Sequence, residues 1–241
     1  MRSMSSSLRA ASVPALDALP GLVHGFEQRI GPGGEDREAT RRRVAGALAP
    51  HGRLLLMKQV HGARVVSAPW DGEPEADAAV GDGPGVILGI ETADCLPVLL
   101  VDPRRGLVAA AHAGWRGTAA GVVSQALAAL RQRGSAPRDV LAAMGPGIGP
   151  CCYEVGDELR AAFGPPGERF FRRGPGGRAH LDLRAANVRQ LEAGGVSSER
   201  IHHVADCTAC SVERYYSYRR DGRGVGRMIS FIGWERTDRP Q

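Results

Sequence analysis

The chain has 241 residues, of which 43% are hydrophobic, so it is long enough to bury the core of one large or two small domains. No apolar run approaches the roughly 20 residues that span a membrane, and the net charge of +5 comes from arginines that mostly alternate with acids. These features argue against a membrane-spanning protein and against a nucleic-acid partner, and we expect a cytoplasmic protein.

The first 12 residues are rich in serine and alanine but lack the continuous apolar segment of a signal peptide. We expect them to form a flexible N-terminal tail ahead of a single domain over residues 13–241. Short β-rich runs alternate irregularly with amphipathic segments there, which predicts an α/β (α+β-like) layered sandwich with a mixed β-sheet and outer helices. In chain order, strands are predicted over 23–26, 53–60 with 64–67 as its partner, 77–80, 86–90, 96–101, 106–112, 140–144, 200–204, 215–218 and 227–232, and helices over 38–48, 119–133, 155–163 and 183–192.

A β-hairpin that carries a cysteine and a histidine is predicted near the middle of the chain. An Asp-Pro turn over 102–105 separates two apolar runs, which is a hairpin signal. With a four-residue loop, Val101 faces Gly106 and Cys95 lies directly opposite His112. Opposed residues share one face of a sheet, with Cβ atoms about 4.5–5.5 Å apart, whereas a slip of one residue would separate them.

His61, Cys95 and His112 each lie at a predicted strand end or polar break. Three mixed nitrogen and sulfur ligands with an open fourth position describe a catalytic zinc site, where the metal lowers the pKa of a bound water towards about 7. The nearby carboxylates of Glu91 and Asp94 could move its protons. The residues alone leave a second interpretation open, and slightly favour it: Cys95 is a small core residue and the histidines bind loop carbonyls.

The other cysteines and the glycine-rich turns carry weaker signals. Five cysteines without a secretory signal argue against a disulfide framework, and Cys207-x-x-Cys210 is either half of a zinc knuckle or a redox pair. The turn over 114–117 either presents backbone amides and Arg116 to an anion or is a tight turn that requires glycine. The glycines over 145–150 do not follow the dinucleotide-binding spacing.

Seven motifs, in order between His24 and Trp234, resemble those of the family long labelled polyphenol oxidase or laccase-domain proteins and now described as multifunctional purine nucleoside phosphorylases. The resemblance implies a cytoplasmic metalloenzyme with a layered α/β fold. It also implies phosphorolysis of adenosine, inosine, guanosine and methylthioadenosine, and deamination of adenosine to inosine. The motifs are Lys58-Gln59-Val60-His61-Gly62, Thr92-Ala93-Asp94-Cys95-Leu96-Pro97-Val98, Ala111-His112-Ala113-Gly114-Trp115-Arg116-Gly117, Gly145-Pro146-Gly147-Ile148-Gly149-Pro150, Tyr153-Glu154-Val155-Gly156, Ser217-Tyr218-Arg219-Arg220-Asp221 and Gly226-Arg227-Met228-Ile229-Ser230-Phe231-Ile232.

The resemblance also implies the metal ligands, and the residues themselves suggest the catalytic groups. The family's zinc ligands fall on His61, Cys95 and His112, with copper as the alternative metal. Cys95, His112 and Asp94 are the expected catalytic residues. For deamination, the hypothesis is attack on purine C6 by a zinc-activated water.

Purine nucleosides and phosphate are the expected partners of a monomer or small homo-oligomer. Arginine is the natural phosphate ligand, and Arg116 is the first and Arg219 the second expected substrate-binding residue. Arg29 matches an arginine of the family's amino-terminal motif. The chain departs from the family's pattern at two places around Arg29. Gly31–Glu38 replaces a longer segment of the family, and Glu27-Gln28 stands where the family has Ser/Thr-Thr. A different substrate range or rate is the expected consequence if that segment contributes to the pocket.

Three rival functions are compatible with the same residues. A cysteine hydrolase would use Cys95 as nucleophile and His112 as base, without a metal. A copper-dependent phenol oxidase is the older description of the family, although the chain contains no His-x-His pair of the kind that multicopper oxidases use. A non-enzymatic binding protein would have a structural metal closed by a fourth ligand, for which Cys207 is the candidate.

Overall fold

Two β-sheets face each other at the centre of the structure, a computed structural model that describes residues 8–31 and 35–236. The strands are β1 Ala10–Ala11, β2 Leu22–Glu27, β3 Arg53–Leu55, β4 Val65–Ser67, β5 Ala78–Asp82, β6 Val86–Thr92, β7 Leu96–Asp102, β8 Leu107–Ala113, β9 Leu141–Met144, β10 Glu154–Val155, β11 Phe171–Arg173, β12 Ala179–Leu181, β13 Ile201–His203 and β14 Met228–Trp234. The helices are α1 Pro14–Asp17, α2 Arg37–Leu48, α3 Trp115–Ala119, α4 Val122–Gln132, α5 Asp157–Gly167, α6 Leu183–Ala193 and α7 Tyr218–Asp221.

Both large sheets are mixed. One has the order β1-β2-β14-β6-β3 and is antiparallel except at β3–β6. The other has the order β13-β9-β7-β8-β5-β4 and is parallel at its two outer pairs, β13–β9 and β4–β5. A small sheet, β10-β12-β11, stands apart from them. Mixed sheets with helices outside confirm the predicted fold class. No helix within the described residues is long and apolar enough to cross a membrane.

Strand β7 shows why the sheets stack in layers. Alternate side chains of a strand point to opposite faces, so an apolar run without polar interruption is buried on both sides. Leu99 and Val101 pack in the core between the two sheets, where Phe26 of β2 also lies. Val98 and Leu100 belong to a second core, on the face covered by α4 and α6. Helix α2 covers the outer face of the other sheet.

The central hairpin forms, but its predicted register is wrong. Asp102 pairs with Leu107, so the predicted pairing of Val101 with Gly106 does not occur, and His112 faces Pro97 rather than Cys95. Asp102 stays in β7 because its carboxylate accepts the backbone amides of the turn at residues 104 and 105. Relative to the prediction, the paired positions are displaced by one residue on each strand, which is two residues in total. Because side chains alternate with a period of two, Cys95 and His112 still lie on the same face.

Three further predictions need correction. The strand predicted over 53–60 ends at Leu55 and pairs with β6, whereas β4 pairs with β5. The segment 215–218 is not a strand, because the Ser217 side chain accepts the amide of Arg220 and starts α7. Residues 8–12, placed in the flexible tail, include β1, which pairs with β2; residues 1–7 of that tail lie outside the described residues.

Candidate active site and metal centre

His61, Cys95 and His112 meet at one end of the hairpin, and we call them the metal trio. Their ligand atoms all lie within 4.8 Å of one another. Cys95 directly precedes β7, His112 lies in β8, and His61 comes from the segment between β3 and β4. The two imidazole rings stand edge to face, with centroids 4.9 Å apart. The three residues that the sequence singled out therefore meet in space, although the predicted register was wrong. Their role as metal ligands stays a prediction.

Asp77 orients both histidines of the metal trio. Its fully buried carboxylate accepts a hydrogen bond from Nδ1 of His112 at 2.8 Å. The same carboxylate accepts the backbone amides of His61 at 2.9 Å and Gly62 at 2.7 Å. Since Nδ1 of His112 is engaged, its Nε2 is left for a metal. A carboxylate bound to the far nitrogen of a ligating histidine is typical of metal sites.

Two residues of the site have strained backbones. His61 (φ 62°) and Asp94 (φ 91°) are the non-glycine residues with positive φ in the described part of the chain. Such strain persists only where surrounding contacts enforce it, and it clusters at functional sites. Asp77 holds the amide of His61. Asp94 accepts the Thr208 hydroxyl at 2.6 Å and the Arg219 amide at 2.7 Å.

Gly114, at the N-cap of α3, and Gly117, inside α3, are required by close packing around the metal trio. A Cβ at Gly114 would lie 2.9 Å from Sγ of Cys95 and 3.2 Å from a His61 ring carbon, and a Cβ at Gly117 would lie 2.9 Å from the Gly62 carbonyl oxygen. Close packing accounts for both glycines, and the predicted turn is the start of α3. Anion binding by this segment and Arg116 stays a prediction.

The electrostatics of the trio favour a thiolate. Burial on its own would raise the pKa of Cys95, but the adjacent His112 and His61 lower it to about 6. Burial would lower the pKa of His112, but the Cys95 charge and Asp77 raise it to about 9. Each group therefore favours the charged form of the other, a thiolate beside an imidazolium. The thiolate is the form of cysteine that binds metals and attacks electrophiles.

A cavity of about 800 Å³ opens over the metal trio. Asp94, Arg116 and Arg219 line it as well, so the structure brings together six of the seven predicted site residues. Arg116 stacks on Trp115 at 4.3 Å, and Arg219 stacks on Tyr153 at 5.2 Å.

Arg29, the seventh predicted residue, is not among the residues that line the cavity. Its guanidinium stacks on Tyr216 at 5.0 Å and donates to the Val212 carbonyl at 2.8 Å. These contacts tie β2 to the segment that precedes α7.

A model of the family described as multi-copper polyphenol oxidoreductase laccase matches residues 32–235. The chain belongs to this laccase family. It is 36% identical to the purine nucleoside phosphorylase YlmD of Geobacillus stearothermophilus, over 94% of this chain and 93% of that protein. It is 37% identical to the adenosine deaminase RL5 of an unknown prokaryotic organism, over 74% of each chain. The crystal structure of the Geobacillus YlmD matches with a TM-score of 0.83 and 30% identity, over 97% of this chain and 98% of that one.

In this laccase-family chain, Glu91 is held in an ion-pair network. Arg37 and Arg41 of α2 bind its carboxylate, with shortest distances of 2.5 and 2.6 Å. Burial would raise the pKa of Glu91, but the hydrogen bonds from the two arginines outweigh it and keep the pKa below its usual value. The predicted role of Glu91 in proton transfer is therefore unsupported, because the carboxylate stays ionised and paired.

Sequence reasoning did not single out Arg37, Gln59 or Tyr153, which also line the cavity. Burial and the nearby Cys95 charge raise the pKa of Tyr153, so its phenol stays protonated and can donate a hydrogen bond. Gln59 and Tyr153 lie within two of the motifs that resemble the laccase family, and this position in the motifs could have marked them as site residues. Arg37 lies in the segment Gly31–Glu38, which the sequence marked only as a departure from the family, and nothing in the sequence pairs it with Glu91.

Proposed function

We propose that this laccase-family protein is a zinc-dependent purine nucleoside phosphorylase that acts on adenosine, inosine, guanosine and methylthioadenosine and also deaminates adenosine. The observation that carries the proposal is the cavity that joins the metal trio to Arg116 and Arg219. Its volume of about 800 Å³ suits a small-molecule substrate. The names of the Geobacillus phosphorylase and the prokaryotic adenosine deaminase support the two reactions.

The residues of the metal trio fit a metal ion. They supply two imidazole nitrogens and one low-pKa thiol within a single ion's reach, and Asp77 orients His112. Mixed nitrogen and sulfur ligands favour zinc, while copper would also accept them. We assign zinc and take His61, Cys95 and His112 as its ligands. When bound there, zinc would supply Lewis acidity and lower the pKa of a coordinated water.

Phosphorolysis forms a bond between a phosphate oxygen and C1′ of the ribose and breaks the bond from C1′ to the purine, which then takes up a proton. Arg116 and Arg219 would hold the phosphate, since guanidinium groups bind it through paired hydrogen bonds. The protonated phenol of Tyr153 can donate a hydrogen bond to the substrate. Asp94 is the proposed proton-transfer carboxylate, and it also fixes the start of α7 through the Arg219 amide.

The test compares wild type with Cys95→Ala and His61→Ala. Bound metal is measured, and each protein is incubated with adenosine, inosine, guanosine or methylthioadenosine, with and without phosphate. Wild type should contain zinc, release adenine only with phosphate, and form inosine without it. Both variants should lose both products. His51→Ala is the matched control, because this histidine is paired with Glu235 and does not line the cavity. A zinc-loaded wild type that is inert towards all four nucleosides would disprove the function.

Arg116→Gln tests the phosphate site within the same proposal. Losing a charge-assisted hydrogen bond of about 1.5–3 kcal/mol should raise the KM for phosphate about 10- to 100-fold. Deamination, which uses no phosphate, should be unchanged. Arg131→Gln on the surface of α4 is the control. An equal loss of both activities would contradict the assignment of Arg116 to phosphate.

A cysteine hydrolase is the second candidate, because Cys95, His112 and Asp77 form a nucleophile, base and orienting carboxylate in contact. A thiolate bound tightly to zinc is not a free nucleophile. The two functions therefore separate on metal removal. Metal-free protein that hydrolyses an ester or amide and is blocked by iodoacetamide would establish the hydrolase, whereas activity that requires zinc supports the phosphorylase.

A further inference from the structure

The structure brings the four other cysteines of the chain together, and we call them the cysteine cluster: Cys151, Cys152, Cys207 and Cys210. Their sulfur atoms all lie within 4.8 Å of one another. Sγ of Cys210 lies 3.5 Å from Sγ of Cys151 and 3.3 Å from Sγ of Cys152. The Cys-x-x-Cys segment thus meets a Cys-Cys pair from a distant part of the chain, the second half that the sequence did not reveal.

The spacing of these sulfurs suits a single metal ion. Four thiolates at about 2.3 Å from one zinc in tetrahedral geometry stand about 3.8 Å apart. The observed sulfurs lie at and around that separation. A cluster of several irons binds its thiolates through different iron atoms and needs a wider arrangement.

The surroundings of Cys207 also suit a metal thiolate. The amide of Gly149 donates to its sulfur at 3.2 Å, and the amide of Cys210 hydrogen-bonds to it as well. Such donors support the negative charge of metal-bound sulfur. Arg184 and Arg220 lie close enough to interact electrostatically with Cys207. Four thiolates around a divalent cation leave a net charge of −2, which these two arginines offset.

The cysteine cluster joins two segments that meet behind the cavity. Thr208, between the cysteines of the second segment, donates to Asp94, and Ile148, just before the first pair, donates to the Asp94 carbonyl at 2.8 Å. Tyr153, which lines the cavity, follows Cys152 directly. A link between the two segments would therefore fix the position of Asp94 and Tyr153.

We propose that the cysteine cluster is a second metal site, which binds one zinc ion through four thiolates and clamps the 145–153 segment to the 206–211 segment. Each thiol releases its proton to solvent as it binds, so the step needs no oxidant or reductant. The site is structural, because the chain supplies all four ligands and leaves no open position. Its zinc takes no direct part in the reaction proposed for the metal trio.

The experiment uses the full chain with Cys95→Ala, which disables the metal trio and leaves the cysteine cluster intact. After purification and dialysis, this variant should retain about one zinc ion per chain. X-ray absorption at the zinc edge should show four sulfur neighbours at about 2.3 Å and no imidazole. Wild type should contain about twice as much zinc. Cys210→Ser should contain about half the wild-type amount, with a mixed nitrogen and sulfur shell.

Val212→Ser is the matched control for Cys210→Ser, because it changes an exposed residue two positions away without removing a thiol. It should keep the wild-type zinc content. Zinc-free Cys95→Ala, iron in place of zinc, or a disulfide between any two of the four cysteines by mass spectrometry under non-reducing conditions would each overturn the proposal. The Cys95→Ala result stands even if Cys210→Ser fails to fold. Because the readout is metal content, an inactive protein does not affect it.

Discussion

At the scale of single residues, Asp77 links the two histidines of the metal trio. Replacing it with asparagine keeps the shape but removes the negative charge that holds Nδ1 of His112 and so leaves Nε2 oriented for the metal. Loss of such a carboxylate commonly lowers metal affinity about 10- to 100-fold, and we expect Asp77→Asn to do so. Zinc affinity would be measured by competition with a chelating dye, in a Cys210→Ser background so that the cysteine cluster does not contribute.

Asp71→Asn is the control for this prediction, because Asp71 is a fully exposed carboxylate that pairs with Arg53 on the surface. Its zinc affinity should equal that of the parent. An Asp77→Asn protein that folds and binds zinc as tightly as the control would show that His112 does not depend on this carboxylate.

The reactivity of Cys95 supplies a pH-dependent prediction at the same scale. A thiol is alkylated as the thiolate, so the rate rises with pH up to the pKa and then levels off. With a pKa of about 6, Cys95 in metal-free protein should reach its full rate with iodoacetamide below pH 8. An ordinary cysteine, with a pKa of about 8.5, would still gain rate at pH 9. Peptide mass spectrometry would follow the modification of Cys95 itself.

Removal of His112, whose imidazolium lowers the pKa of Cys95, should return the pH dependence of alkylation towards that of an ordinary cysteine. His112→Ala is expected to shift the apparent pKa of Cys95 alkylation upwards, while His51→Ala should leave it near 6. Zinc should protect Cys95 from alkylation in wild type. A Cys95 rate that rises only above pH 8 in wild type would contradict the thiolate–imidazolium pair.

At the scale of secondary-structure elements, α2 is attached to β6 by the Glu91 network. The Glu91 side chain is 3% exposed, that of Arg41 12% and that of Arg37 53%. Removing one partner of a buried ion pair leaves the other charge buried without a partner and lowers the free energy of unfolding by about 3–5 kcal/mol. Because Arg37 is half exposed and Arg41 also binds Glu73, we expect Glu91→Gln to lower the free energy of unfolding by about 2–4 kcal/mol.

Urea unfolding at pH 7 and at acid pH would check this prediction. The pKa of Glu91 is lower in the folded protein, so its stabilisation is complete above its unfolded value of 4.5 and disappears as the pH falls through the folded value. Wild type and Glu91→Gln should therefore converge in acid. Glu38→Gln removes an exposed partner of Arg41 and should change stability by no more than about 0.5 kcal/mol. A stability difference that is constant from pH 7 into acid would contradict the mechanism.

Elements with a clear local signal were predictable from the sequence. The helix predicted over 183–192 forms as α6, and Asp182 accepts the amide of Ala185 at its start. The hairpin was also predictable, but its register depends on the hydrogen bonds of Asp102, which the turn residues alone do not reveal. The strand predicted over 53–60 failed because its second half finds no continuous ladder partner and makes only an isolated bridge at Lys58.

At the scale of the whole molecule, tertiary packing makes both metal-type sites. The sequence singled out the metal trio because each residue lies at a predicted strand end or polar break. The residues alone slightly favoured a core role, and the resemblance assigned all three as ligands. The sequence did not reveal the cysteine cluster, since 54 residues, which include α5 and α6, lie between Cys152 and Cys207 along the chain. Asp77 was likewise missed, because its importance comes from contacts with segments far from it in sequence.

The ligands of each site come together in the folded state and not in the unfolded state. Zinc should therefore stabilise the fold in proportion to the number of sites. Above the dissociation constant of a site, each tenfold rise in free zinc adds about 1.4 kcal/mol to the free energy of unfolding. With both the metal trio and the cysteine cluster binding, wild type should gain about 2.8 kcal/mol per tenfold rise. Cys95→Ala and Cys210→Ser should each gain about half as much, and the double variant nothing. Denaturant unfolding in zinc-buffered solutions would measure these slopes.

The slope of the unfolding free energy against free zinc distinguishes the loss of a zinc site from a loss of intrinsic stability. A substitution that only weakens packing lowers the unfolding free energy equally at every zinc concentration and leaves the slope unchanged. Val212→Ser should accordingly keep the wild-type slope. Equal slopes in wild type and Cys210→Ser would mean that the cysteine cluster binds no zinc in the folded chain. Equal slopes in wild type and Cys95→Ala would mean the same for the metal trio. The proposed phosphorylase would then have no zinc at its active site, while the zinc site proposed for the cysteine cluster would be unaffected.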